Sequence, residues 1–551
     1  MKKLLLVLFA GLMFSCSNEF ENINPVNNNV ERVFGTAFNI NQDWISAETG
    51  SVTLTNLNAS KVQILSCIDG KLKILNESNY YDGVTLNYDF PKNCDLFVMT
   101  DNQNLSLLNN NFDLTRASNN LVSIPEETPE ITGELVSYAV QRGYEGFSKE
   151  KLYTTNISSI EIPDYSASFK KILRAVIFTY LPNGRGYNNL NKIKESGYYN
   201  EDCYAITTGK DPIVVSPIYK NDGGYGEVET CDLYYYYFKG NPSLEEIKSL
   251  PKYKAFPISE NILADDSLGK HHSYVLAYFG DSVGTYKFPE GMKIGFMVRS
   301  NFKNDVKKGE LYFDGRLNKD INKHGHFASS KLGDSDPRMC WITANKKVFF
   351  SAEAGTDTDF NDIIFEVEGG VEPIDVPIIP EYNDYIYLFE DREIGDYDMN
   401  DVVIRGIRLD ATHVKYEILA TGAKDELYIK GINGNIINES KEIHSYFGVS
   451  QNTFVNVNKK GSQTVSEIFE VDSKFSFLNN LISVFNKTTG KEIKIAQKGQ
   501  DPHAIMVPFD FKWPKEKVCI KDAYYKFNEW GQNPVVSTDW YLYYHNDKVT
   551  Q

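Results

Sequence analysis

The sequence predicts a mainly β protein: several β-sandwich or jelly-roll-like modules with few short helices. Three observations point there. Tyr and Phe number 35 and 33 in 551 residues, and both favour pleated, half-buried surfaces. Asn and Gly punctuate the short apolar runs, as turns between strands demand. Few stretches hold a helical period for three turns. A chain of this length exceeds one hydrophobic core, so about two to four domains are expected. The formal net charge of −17, with no basic cluster, argues against nucleic acid and other polyanionic partners.

Residues 1–15 read as an export signal. Lys2 and Lys3 form a positive n-region, residues 4–14 an apolar stretch, and Ser15 precedes Cys16, the pattern of a bacterial lipoprotein signal in which Cys16 becomes the acylated N-terminus. Met13 and Phe14 depart from the usual lipobox, and the competing reading is an ordinary signal peptide with Cys16 in a disulfide. The apolar run is too short to span a bilayer and no later stretch replaces it, so the expected anchor is lipid alone. The expected location is the outer membrane, on its periplasmic or surface-exposed face, with Glu19 and Glu21 compatible with the latter. The remaining cysteines are Cys67, Cys94, Cys203, Cys231, Cys340 and Cys519. Cys67 with Cys94 and Cys203 with Cys231 are close enough in sequence to pair, and buried free thiols are an equal alternative.

After a polar tether over residues 16–32, strand-like runs at 51–55, 61–65 and 95–99 predict a small β-sandwich over 33–108. Residues 109–130 are polar with Pro125 and Pro129, a linker. A second β-sandwich domain is expected over 131–370, with strands at 175–180, 233–238, 273–279 and 292–298. The aromatic run 233–238 reads as a central strand buried on both faces rather than a ligand-stacking platform. Pro373, Pro377 and Pro380 mark a stiff linker over 371–381. A C-terminal β domain follows over 382–551. In it Ile520, Ala523, Tyr524, Phe527 and Trp530 fall at helical spacing, with Gly531 placed to cap.

The chemistry concentrates in two loops. Asp357-Thr358-Asp359-Phe360-Asn361-Asp362 and Asp396-Tyr397-Asp398-Met399-Asn400-Asp401 share one pattern, each followed by an apolar pair and each standing between two strand-like runs. Oxygens at alternate residues resemble the first half of an EF-hand loop. Asp362 and Asp401 stand where that loop needs glycine, however, and no helix flanks either stretch. Crowded carboxylates repel unless a cation sits among them, and several oxygens without a phosphate partner favour calcium. Glu353 before the first loop, and Glu390 with Asp391 before the second, are placed to complete each shell. The alternative is a pair of Asx-turns with no ion. Catalysis is disfavoured, because glycosidase carboxylates stand apart across a cleft rather than in one turn.

Other constellations read as structure. Gly280, Ser282 and Gly284 match a nucleophile elbow, but a strand rather than a helix follows. His324 and His326, near Asp334 and Asp336, lack a third spaced ligand. Gly490-Lys491 is no P-loop, since Phe485 and Glu492 occupy the first-glycine and hydroxyl positions.

Residues 388–391, the second acidic loop with Val402 and Val403, and the downstream Val507-Pro508-Phe509-Asp510-Phe511-Lys512-Trp513-Pro514 together resemble the LruC domain-containing lipoproteins of Gram-negative bacteria. The preceding domain, closing on the first acidic loop, looks like the companion domain of unknown function that often precedes it. Met399 replaces the usual Phe of that loop, a volume-tolerant change. The resemblance implies an outer-membrane or surface lipoprotein of β architecture, and neither a substrate nor catalytic residues. The resulting expectation is a non-enzymatic, calcium-stabilised surface lipoprotein acting as an interaction or adhesion module, its partner a host or envelope protein or a glycan. The alternative, motivated by aromatic content, is a glycan-binding or glycan-degrading lipoprotein, which a glycan array would separate.

Overall fold

The computed structural model describes residues 28–108, 124–137, 150–156, 159–181, 204–220, 231–257, 269, 272–280, 283–300, 310–318, 332–333, 335–353, 358–374, 376–431, 441–459, 461 and 465–550. It is mainly β and divides into two compact units. One comprises Asn102–Leu105 and Asp113–Ile379; the other takes in Met1–Asp101, Ser106–Phe112 and Pro380–Gln551.

In the first unit a six-stranded sheet runs in the order Met339–Ala344, Lys347–Ala352, Ile363–Gly369, Ile213–Lys220, Ser273–Val275, Ser159–Ile160. A seven-stranded sheet centres on Met292–Ser300, Cys231–Lys239 and Lys252–Pro257. The Phe296 ring of the second sheet lies 5.0 Å from Phe350 and 5.1 Å from Phe365 of the first. The inner faces therefore interdigitate as a sandwich. Tyr234, Tyr235 and Tyr236 are fully buried in a strand paired on both sides, as the sequence predicts. The Tyr235 hydroxyl finds its partners on a neighbouring segment. Tyr235 donates to Ala277 O at 2.7 Å and accepts the Ala277 N–H at 3.0 Å; Tyr237 treats Phe279 the same way. These hydroxyls continue the ladder where the strand Ser273–Val275 stops.

Residues 175–180, read from sequence as a strand, close an α-helix, Ala167–Tyr180. Ser166 caps it by accepting the Phe169 N–H at 3.2 Å. Ile172, Leu173, Val176, Ile177 and Tyr180 then fall on one buried face. The β-branched run Val176, Ile177 and Thr179 masks that period when the preceding turn is left out of the window.

The second unit carries an antiparallel sheet in the order Val465–Glu470, His413–Ala420, Val402–Arg408, Asp384–Phe389, Ala504–Pro508. The strands near the N-terminus, Ala47–Leu54 with Val84–Pro91 and Lys61–Ile68 between Lys71–Asn79 and Asp95–Thr100, belong to the same unit. The two ends of the chain are bonded directly. Ser46 N–H donates to Met506 O and Met506 N–H to Trp44 O, both at 3.0 Å. The Asp89 carboxylate accepts Ser476 Oγ and Phe477 N–H, both at 2.6 Å. Within the segment read as a tether, a helix begins at Asn28 (Asn28–Phe34), and its Val30 and Phe34 are buried. Phe34, Phe38 and Trp44 join Phe527, Trp530 and Trp540 in one aromatic core, with Phe527 4.9 Å from Trp540.

The single helix expected over residues 520–530 is two, Ile520–Ala523 and Phe527–Gln532. Tyr524 leaves the helical path to bridge Tyr544. Gly531 is not a cap but lies inside the second helix, where a Cβ would come within 2.4 Å of the Phe38 ring. Its glycine admits the N-terminal segment. Cys67 and Cys94 are not joined by a disulfide, and burial, then the Cys67 thiol, pushes the Cys94 thiol up to about 12. Cys16, Cys203 and the Cys231 side chain lie outside the described residues. No helix among the described residues is long and apolar enough to cross a membrane.

Candidate metal centre

Both acidic loops join neighbouring antiparallel strands in the interior of a sheet. The first links Lys347–Ala352 to Ile363–Gly369, the second Asp384–Phe389 to Val402–Arg408. Within each, the residues between the acids adopt the left-handed region: Thr358 and Phe360 at φ 70° and 63°, Tyr397 and Met399 at 56° and 57°. Such alternation turns successive N–H groups to one side, a concavity that receives an anion.

The anion is the glutamate at the end of the incoming strand. Phe360 N–H donates to Glu353 Oε2 at 3.0 Å. Met399 N–H donates to Glu390 Oε1 at 2.7 Å and Tyr397 N–H to Glu390 Oε2 at 3.2 Å. Both glutamates are fully buried. A Cβ on Gly395 would stand 2.1 Å from Glu390 Oε2, so the backbone approaches this carboxylate as closely as only glycine permits. The side chains at positive φ turn inward: Phe360, Tyr397 and Met399 are wholly buried, the last two in the aromatic core.

Two further bonds match across the loops. Asn361 N–H donates to Asp359 Oδ1 at 3.3 Å, and Asn400 N–H to Asp398 Oδ1 at 3.4 Å. Asn361 Nδ2 donates to Leu181 O and Asn400 Nδ2 to Pro514 O, each at 3.3 Å. The recurrent six-residue pattern thus encodes one turn, built twice.

In the second loop the structure brings Glu390, Asp396 and Asp398 together, with one oxygen from each lying within 4.8 Å of the others. Asp396 is exposed, the other two buried. Asp401 is not part of that trio; its Oδ2 accepts the Asp391 N–H at 2.7 Å. Burial, followed by the charges of Asp401 and Asp398, holds the Glu390 carboxyl well above its usual range. Burial and then Asp396 push Asp398 up to about 7. Asp401 and Asp391 rise as well, each chiefly through burial. A cation among these oxygens reverses the sign of their environment.

In the first loop Asp359, Asn361 and Asp362 are buried with Glu353, while Asp357 lies outside the described residues. Asn400 is also fully buried, and its Oδ1 accepts no hydrogen bond from the described residues.

Sequence reasoning missed the braces around the second loop. Lys517 N–H donates to Asp398 Oδ2 at 2.6 Å, and Ile520 N–H to Tyr397 O at 2.8 Å. Arg392 forms a two-pronged pair with Asp425 at 3.0 Å, and Asn486 Nδ2 donates to both Asp425 Oδ2 and Asp391 O. The Lys-Trp-Pro segment stood out in the sequence, but nothing there placed it against the loop.

The remaining sequence motifs are described only in part. Tyr278 pairs antiparallel with Thr285 across the Gly280–Gly284 turn, whose Asp281 and Ser282 lie outside the described residues, as do His324 and His326. Gly490, at φ 71°, turns a hairpin between Ser483–Asn486 and Lys491–Ile493. Residues 437–541 match a family model described as a domain of unknown function (DUF4842). No curated protein and no solved structure matches the chain. The matched stretch contains Pro514 and Lys517, which grip the second loop, but neither acidic loop itself.

Proposed function

We propose that this is a non-enzymatic, calcium-stabilised lipoprotein of the LruC-containing kind, anchored through Cys16 to the outer membrane and serving as an interaction or adhesion module. The observation that supports calcium is the convergence of Glu390, Asp396 and Asp398 inside a turn whose hydrogen bonds recur in the other unit. The ligand set is Asp396, Asp398, Asn400 and Glu390, with Asp401 adjoining; by equivalence the first loop offers Asp357, Asp359, Asn361, Asp362 and Glu353. Hard oxygen donors in this number suit calcium over magnesium, which keeps more of its own water.

Acids crowded on one turn serve a cation better than acid–base chemistry, which needs two carboxyls in contrasting settings across a cleft. With a Kd of about 10 μM and about 1 mM free calcium, each site adds roughly 2.7 kcal/mol to the stability of its unit. Anchoring is tested separately: Cys16→Ser releases the protein from the membrane fraction, and a variant that stays membrane-bound refutes the lipid anchor. For calcium, the test is metal analysis of the purified protein, with chelation lowering its melting temperature and calcium restoring it.

A further inference from the structure

The trio in the second loop supplies fewer oxygens than a calcium ion takes. Calcium binds about six to eight, and both oxygens of Glu390 already accept backbone N–H groups. A segment of the C-terminal chain lies against the loop. Pro514 O accepts Asn400 Nδ2 at 3.3 Å, and Lys517 N–H donates to Asp398 Oδ2 at 2.6 Å. These two bonds fix Glu516 between them, beside the acidic turn, where Glu516 N–H donates to Val457 O at 3.3 Å.

Asn400 gives an independent sign of a ligand at this junction. Its amide is wholly buried; Nδ2 is spent on Pro514 O, while Oδ1 accepts nothing from the described residues. A buried carbonyl oxygen left without a donor is costly, so a ligand is the natural partner for it. Gly422 leaves that oxygen its room, since a Cβ there would approach it to 2.3 Å.

We infer that Glu516 is a further ligand of the second-loop cation, so that the ion fastens the chain around Trp513–Lys517 to the acidic turn. This rests on the calcium reading above and deepens it. Glu516 stands outside the converged trio, half-exposed and next in the chain to Lys517, whose N–H holds Asp398. A monodentate trio, Asn400 Oδ1 and a bidentate Glu516 together give an oxygen count in the calcium range. Two cations of the chain, Lys424 and Lys517, also face Glu516. Burial and the Asp396 charge nevertheless outweigh them and hold its carboxyl above the usual range, as expected of an acid set against other acids.

The test is calorimetric titration of the full chain, freed of metal, with calcium alone, comparing wild type, Glu516→Gln and Glu516→Asp. The expected result is two calcium sites in wild type, one of them weakened at least tenfold in Glu516→Gln and partly restored in Glu516→Asp, the other unchanged. Equal melting temperatures of the three proteins in chelator show that the fold is intact. Wild-type affinities at both sites in Glu516→Gln overturn the inference while leaving the calcium reading in place. Absence of calcium binding by wild type overturns both.

Discussion

Asn361 and Asn400 make the same bond to different kinds of neighbour. The Asn361 amide donates to Leu181 O, at the C-terminal end of the helix Ala167–Tyr180, where carbonyls lack intrahelical donors. The Asn400 amide donates to Pro514 O, in an irregular segment that bridges antiparallel to Val549. One six-residue turn thus serves in one unit to finish a helix and in the other to clip a non-helical segment that also bonds to the C-terminal residues. The difference teaches that the turn is a self-contained device: a buried glutamate shapes it and its asparagine clips whatever lies alongside.

Breaking each ligand set separately is expected to have the largest effect. Asp398→Ala removes the calcium-dependent part of stability, roughly 2.7 kcal/mol, from its own unit alone, and Asp359→Ala does the same for the other. Calorimetry with and without chelator reads this as two separable transitions. A single variant abolishing both responses would mean that the loops are not independent devices.

A loss of comparable size separates the shaping glutamate from its neighbours. Gly395→Ala forces a Cβ against Glu390 Oε2, and the expected cost is about 1–3 kcal/mol, with loss of the second-loop calcium response and none of the first. Chemical denaturation of the full chain measures it.

The clips come next. Asn361→Ala and Asn400→Ala each remove one buried side-chain bond, worth about 0.5–1.5 kcal/mol. Only Asn400→Ala is expected to speed tryptic cleavage at the exposed Lys517, which limited proteolysis followed by mass spectrometry detects. Equal cleavage in both variants would remove the distinction between a helix finisher and a segment clip.

The smallest effect belongs to the ion pair flanking the second loop. Hydrogen bonds from Arg392 hold Asp425 below the usual carboxylate range. A lowered folded-state value means the pair stabilises above the unfolded-state value, near pH 4, and that this contribution is lost as pH falls through the folded one. With the Arg392 side chain 57% exposed, the expected loss is under about 1 kcal/mol. Asp425→Asn should flatten that acid limb of the stability profile without altering calcium binding.

Much of this was legible in the sequence, for a local reason. Asp-x-Asp-x-Asn-Asp is a short-range pattern, so its recurrence announced one turn built twice, and Glu353 and Glu390 stood beside it. The β character and the buried tyrosine strand were equally local. What could not be read was long-range. Nothing local links Asp89 to Ser476, Trp44 to the C-terminal aromatic core, or Pro514 and Lys517 to the second loop. Residues 175–180 misled because a β-branched helix end carries strand propensity, and burial against neighbours decided otherwise.

The central claim is that both turns hold calcium, and it is tested most directly by melting the full chain with and without chelator, beside the double variant Asp359→Ala with Asp398→Ala. The expected result is a fall in melting temperature on chelation, reversal on adding calcium, and no response in the double variant. A wild-type melting curve unchanged by chelator would contradict it.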